Sequence, residues 1–367
     1  MNARFAFLSV LIVALITPQV SFAKGGGGGG KKMKKDRVAR DFRHADTNGD
    51  FKLSREEWNR RGNFDNLDRN GDGQLSLKEV RIMYQGHTDK SYSWPPETSV
   101  FTFPGLETDA SVKDDRVAKD MLDQETLCGI GRSKRCGIQH QLKRGLIETG
   151  TGPVFPDGAN CFGMDDYWAM DYASKRNKQS YHGGIDIPVA WGTPMLAIAD
   201  GSVIATYKAH QSKRGNEVIV RHSPDDTGLN IWVYSGYGHL DKLPDLKIGQ
   251  RVKMGDIIGP TGNSGIAARG SKTGNATQSS SRRPAIHLAT WFAPGPKYSE
   301  SQDVIIPLDG RWLDPFALYR QQPPYVSQDV KALPDDNKVV RVPVMFDDGT
   351  KSPASTKLIW PYACAHK

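Results

Sequence analysis

The chain has few cysteines, four in 367 residues, and almost no long apolar runs. The longest such run covers residues 5–16, well short of the ~20 residues a membrane-spanning helix needs, so a multi-span membrane protein is excluded. That run follows Arg4 and leads to Ser21-Phe22-Ala23, a pattern that reads as a signal peptide over residues 1–23, with an N-terminal membrane anchor as the alternative. Export to the periplasm or the extracellular space is the expectation, and the lack of a cysteine beside the cleavage point argues against a lipoprotein. The sequence has no His-Glu-x-x-His motif, which removes the zinc proteases that carry their ligands on a helix. The six glycines at 25–30 are not followed by a Lys-Ser/Thr context, so they form a linker and not a phosphate cradle. No aromatic residue interleaves with the neighbouring lysines, and nothing argues for nucleic acid as a partner.

Charge is concentrated at one end. Residues 24–43 hold eight Lys/Arg against Asp36 and Asp41, so this stretch carries +6 of the formal +8. The flexible part of this arm, residues 24–35, is either a weak electrostatic tether to anionic envelope polymers and headgroups or a solvated tail without a partner. The remainder, with 38% hydrophobic and 25% charged residues overall, is enough for a soluble protein with one sizeable core and a smaller module.

The smaller module is written twice. Asp68, Asn70, Asp72, Gln74 and Glu79 stand at positions 1, 3, 5, 7 and 12 of a twelve-residue loop, with Gly73 at position 6 and Leu75 at position 8. That is the spacing by which oxygen donors surround calcium. Asp46, Asn48, Asp50, Lys52 and Glu57 repeat the set 22 residues earlier. Both loops resemble EF-hands, and calcium is the implied ion. Phe51 fills the position where glycine makes the turn, and a β-carbon in left-handed backbone costs roughly 1–2 kcal/mol, so the first loop is expected to bind calcium more weakly. Val38, Phe42, Trp58, Phe64, Leu67, Val80, Met83 and Tyr84 fit short helices that pack on one another, giving a small all-α EF-hand pair over residues 36–86.

The stretch that organises the rest is Tyr181-His182-Gly183-Gly184-Ile185-Asp186-Ile187-Pro188 together with Pro284-Ala285-Ile286-His287-Leu288. Two imidazoles and a carboxylate at the mouth of a strand could hold a zinc ion and leave one position open for chemistry. Further along come Tyr237-Gly238-His239-Leu240, the Gly- and Asp-punctuated stretch 248–259, and Gly262-Asn263-Ser264-Gly265. In this order the five motifs, spread over residues 150–320, resemble the LytM/lysostaphin-type zinc endopeptidases. The resemblance implies a small antiparallel β core, a zinc ion held by His182, Asp186 and His287, His239 as a catalytic histidine, and a peptidoglycan peptide as substrate. One position departs from the family's Pro-His-x-His segment, where Ala285 replaces the first histidine. A register making His287 that first histidine and Ala289 the lost ligand misplaces Pro284. Losing one group that assists at the transition state typically costs ~10²–10³-fold in rate. His140, His210 and His222 are the candidate substitutes.

Elsewhere the signals are thinner. Residues 87–149 read as a linker with one amphipathic helix over 112–127. Strands are expected over 202–207, 217–222, 231–237 and 285–292, an insertion beside the cleft over 266–284, and a C-terminal extension over 321–367 with strands over 339–346 and 358–362. In an exported chain Cys128, Cys136, Cys161 and Cys364 form disulfides. Of the three pairings the favoured one joins Cys128 to Cys136 across a short loop and Cys161 to Cys364, clamping the tail. The expectation is therefore a mostly β catalytic domain behind an EF-hand pair, acting as an exported zinc endopeptidase. The alternatives are a degenerate domain that binds peptidoglycan or regulates another hydrolase, and a calcium-responsive structural protein. The sequence leaves the oligomeric state open.

Overall fold

The computed structural model describes residues 37–58, 64, 72–77, 79–80, 100–132, 136–161, 171–177, 180–265 and 284–367. The expected signal peptide, the basic arm, Asp68 and Asn70, Leu67, Met83 and Tyr84, and nearly all of the insertion expected at 266–284 lie outside these residues.

In the EF-hand region, helix α1 (Arg37–Ala45) leads into the first loop, whose strand β1 (Lys52–Leu53) pairs antiparallel with β2 (Leu75–Ser76) of the second loop. Leu53 and Leu75, opposed in that ladder and both essentially unexposed, form a cluster with Phe42, Trp58, Phe64 and Val80. The apolar residue at position 8 of each loop thus ties the two loops to one small core.

The β domain centres on a seven-stranded sheet. Its members are β3 (Ile185–Pro188), β4 (Gly201–Tyr207), β5 (Asn216–His222), β6 (Trp232–Leu240), β7 (Arg251–Val252), β8 (Ala285–Ala293) and β9 (Arg311–Leu313). The order is β7-β4-β5-β6-β8-β9, every ladder is antiparallel, and β3 also pairs with β8. Strand β8 is shared along one edge: residues 285–288 bond to β3 and residues 290–292 to β9. All seven residues of β5 are buried, which fits the β-branched run Val218-Ile219-Val220 in a strand covered on both faces. Among the described residues no helix is long and apolar enough to cross a membrane.

Two expectations need correcting. Residues 112–127 are not one helix. The chain makes a single turn at Ser111–Asp114, a 3₁₀ turn at Lys119–Met121 and then helix α2 (Gln124–Gly131), followed by α3 (Ile138–Lys143). Between the first two, Arg116 bridges Tyr298 and the Val117 N–H donates to the Tyr298 carbonyl at 2.8 Å, so tertiary pairing overrides local helical periodicity. Residues 100–149 are also more than a linker. Thr102 and Thr108 bridge Asp256 and Gln250, and buried Arg221 of β5 bonds Asp109 at 3.2 Å and Asp115 at 2.5 Å.

The tail folds back as part of the same body. Val339–Arg341 pairs parallel with Gly152–Val154, Ala365–His366 pairs with Ala159–Asn160, and Leu358, Ile359 and Trp360 are fully buried. Cys128 is bonded to Cys136 and Cys161 to Cys364.

Candidate metal centre

The register of the sheet brings the expected ligands together. Asp186 on β3 lies opposite His287 on β8, and on the other side of β8 Gly238 of β6 lies opposite the same histidine. Alternation along the strands then points Asp186 and His287 to one face. His182 precedes β3 by three residues. Its arrival depends on Gly183, which has φ of +75°, and where a β-carbon would lie 2.8 Å from both Trp312 and Arg132. Glycine alone fits that turn.

The resulting group is compact and buried. His182, Asp186 and His287 are 5%, 2% and 2% exposed, and one ligand atom of each lies within 4.8 Å of the others. Asp186 Oδ1 is 3.1 Å from His182 Nε2 and 2.8 Å from His287 Nδ1. His182 Nδ1 faces the Asp171 carbonyl at 3.1 Å. A carbonyl only accepts, so Nδ1 carries the proton and the Nε2 lone pair is directed inward. Neither His182 Nε2 nor His287 Nε2 has a hydrogen-bond partner. Burial drives the His287 pKa down to about 3 against the opposing pull of Asp186, which keeps the ring in the neutral form that a metal requires. A buried carboxylate flanked by neutral imidazoles, one with an orphaned inward nitrogen, fits a divalent metal of the zinc type.

His239 stands beside this group, with Nε2 3.8 Å from Asp186 Oδ1 and its ring 5.4 Å from that of His287. It has φ of +63°, left-handed backbone in a residue other than glycine, and such outliers cluster at functional sites. The conformation is fixed from both sides: its N–H donates to Arg214 O at 2.6 Å, its carbonyl accepts from Gly262 N at 3.0 Å, and Nδ1 faces Ser264 O at 2.7 Å. The loop 262–265 is held in turn by the Ser264 hydroxyl, which accepts from Asn216 N at 2.9 Å and donates to Leu240 O at 2.7 Å.

Ala285 lies on the same face of β8 as His287, two residues earlier, and is buried. None of the three candidate substitutes reaches it. His222 is at the far end of β5, bonded to Asp200 O and Ser235; His210 is on an exposed turn; His140 of α3 is 3.5 Å from Glu125. The residues that sequence reasoning missed are those acting through backbone carbonyls, Asp171 and Ser264, and the buried Arg214–Glu217 pair at 2.7 Å behind His239. The carbonyl contacts have no residue signature, and only the i, i+3 charge spacing hinted at the pair.

The family model for Peptidase family M23 matches residues 180–289. This segment is an M23 peptidase domain. The M23 match begins just before His182 and ends just after His287, so it contains the whole buried His182–Asp186–His287 group and His239. An EF-hand model matches residues 39–60 and 64–84. An uncharacterized metalloprotease of Buchnera aphidicola is 39% identical over 115 residues, covering 31% of this chain and 24% of the relative. One of Haemophilus influenzae is 38% identical over 87 residues, covering 23% and 16%. The chain therefore spans a quarter or less of the length of these relatives. Among solved structures, the catalytic domain of lysostaphin from Staphylococcus simulans aligns with a TM-score of 0.26 and 21% identity, covering 38% of this chain and 84% of that one.

In the first EF-hand loop, which is described in full, Asp46 accepts from Gly49 N at 2.8 Å and Phe51 N at 3.0 Å, and Asp50 accepts from Lys52 N at 2.8 Å. Phe51 has φ of +62°, the left-handed conformation expected for position 6. Glu57 accepts from Ser54 N and from the Thr47 N–H and hydroxyl, each at 2.9 Å. These bonds, that from Ser54 N foremost, lower its pKa to about 2. Of the second loop, Glu79 is described and buried, while Asp72 lies 3.4 Å from Lys52 Nζ.

Proposed function

We propose that the protein is an exported zinc-dependent endopeptidase that cuts peptide cross-links of bacterial peptidoglycan and binds calcium through its EF-hand loops. The observation that carries the reading is the buried His182–Asp186–His287 group with His239 beside it. A zinc ion bound there supplies Lewis acidity toward the scissile carbonyl and activates water. Asp186 and the two imidazoles hold the ion. His239 is placed to take or give a proton at Nε2, since its Nδ1 is committed to the Ser264 carbonyl. Peptidoglycan as the substrate, zinc and calcium as the ions, and export rest on the family resemblance and the sequence signals together.

A second reading has its own observation. Ala285 places a methyl group where the family supplies an imidazole, and no described histidine replaces it, which favours a domain that binds wall peptide or regulates another hydrolase. One experiment separates the two. Muropeptide release from purified sacculi is measured with the mature protein and with His239→Ala, and zinc is determined on the same preparations. One equivalent of zinc with release that vanishes in His239→Ala supports the enzyme. One equivalent of zinc without release supports the binding module. Absence of zinc sinks the enzyme and leaves the binding module to be tested by co-sedimentation with the sacculi, where no binding sinks it too.

A further inference from the structure

The segment that delivers His182 to the metal centre is gripped from outside the M23 domain. Arg132 follows α2, and its Nη1 donates to the Tyr181 carbonyl at 2.9 Å and to the His182 carbonyl at 3.0 Å. From α3, the buried Gln141 accepts the Tyr181 N–H at 3.3 Å. The other backbone groups here bond elsewhere in the fold: His182 N to Ser174 O and Gly183 N to Tyr172 O, both at 2.9 Å.

The guanidinium is itself held in place. Arg132 has left-handed backbone, φ 51° and ψ 41°, at the C-terminus of α2, and its N–H donates to Cys128 O at 3.2 Å. It sits inside the eight-residue span closed by the Cys128–Cys136 disulfide, above the Trp312 ring at 5.5 Å. Trp312 is fixed by its own bond to Gly129 O at 2.9 Å. Gly183 completes the cradle, because a β-carbon there would stand 2.8 Å from Arg132 Nη1. A half-buried cation on two carbonyls makes charge-assisted bonds, the stronger class, and a rigid planar donor fixes their direction as well as their length.

We propose that Arg132 is a positioning residue for the first metal ligand: its guanidinium, held by the disulfide-closed loop, sets the place of the His182 backbone and so the metal affinity of the site. The inference rests on the metal centre proposed above and extends it to a residue outside the M23 domain. Arg132 meets His182 through the backbone carbonyl, so its effect falls on how well His182 Nε2 is aimed at the ion rather than on chemistry at the ion. Interactions that orient a ligand typically change metal affinity ~10–100-fold when removed.

The test uses the full oxidised mature chain and its Arg132→Lys and Arg132→Ala variants. Zinc affinity is measured by chelator competition, the absorption spectrum is recorded with cobalt in place of zinc, and thermal unfolding is followed without metal. We expect affinity to fall from wild type to Arg132→Lys to Arg132→Ala, by about tenfold or more at the last step, with altered cobalt bands in variants that remain folded without metal. The lysine variant recovers part of the loss, since an ammonium donates to the same carbonyls without the planar fork. Wild-type affinity and spectrum in a folded Arg132→Ala overturn the proposal. If that variant does not fold, wild-type affinity and spectrum in Arg132→Lys overturn it. A wild-type chain that binds no zinc overturns the metal centre itself, a result distinct from either.

Discussion

Ala285, buried on the same face of β8 as His287, is the residue on which the proposed activity turns. On the reading that it occupies the place of a lost catalytic imidazole, Ala285→His should raise muropeptide release by at least about tenfold and by up to ~10²–10³, with zinc content unchanged. No increase at full zinc occupancy would mean that the gap is already filled by another group. A second residue sets a pH dependence. His222 is fully buried, with Nδ1 2.6 Å from Asp200 O and Nε2 2.7 Å from the Ser235 hydroxyl, which lies 3.3 Å from that of Tyr237. Burial lowers its pKa, outweighing the carbonyl contact. The sign follows from proton counting: below about pH 6.5 the unfolded chain takes up a proton that the fold refuses, so stability falls as pH drops from there toward the lowered folded value. Denaturant unfolding of the metal-free protein between pH 8 and 5 should show that loss, to which the likewise lowered His287 adds its own part, and His222→Gln should make the slope shallower. Equal slopes in the two proteins would remove His222 as the cause.

The two EF-hand loops and the strands that carry Asp186 and His287 show which elements could be read from the sequence. Oxygen donors at fixed spacing, with an apolar residue at position 8, are a local code, and Leu53 opposite Leu75 is its structural form. His182 and Asp186 were legible for the same reason, since four residues and two glycines specify a turn into a strand. Ser111–Gly131 was not, because the pairing of Arg116 and Val117 with Tyr298 lies nearly two hundred residues away in sequence and leaves no local mark. Arg132 was invisible because its targets are carbonyls, which every residue has. The left-handed Phe51 yields a test of the loops themselves. In calcium titrations Glu79→Gln should be more damaging than Glu57→Gln, and Phe51→Gly should tighten the first loop by about five- to thirtyfold, the equivalent of the β-carbon's ~1–2 kcal/mol in left-handed backbone. A first loop that already binds as tightly as the second, or is unaffected by Phe51→Gly, would place the strain elsewhere.

At the scale of the whole molecule, the tail is part of the catalytic body. Leu358, Trp360 and Tyr362 bury their side chains in the main core, and Trp360 stacks on Phe316 at 5.9 Å and meets Phe155 edge-on at 5.3 Å. Phe316 belongs to the turn that follows β9, so the tail supports from behind the strand that shares an edge of β8 with β3, the strand that carries Asp186. Cys161–Cys364 closes this arrangement across 203 residues. Holding the ends of so long a loop together removes about 5 kcal/mol of freedom from the unfolded chain on the loop-entropy account, a large share of the ~5–15 kcal/mol by which a domain is stable. Replacing both cysteines by serine should therefore lower the denaturant midpoint strongly, and zinc should restore part of the loss because it binds the folded form alone. Cys128 and Cys136 close only eight residues, so their replacement should cost less stability while weakening zinc through Arg132. Measuring midpoint and zinc affinity on both pairs separates the roles: a long-range pair that changes affinity more than stability, or a short-range pair that does the reverse, would contradict this division between holding the body together and aiming the ligand.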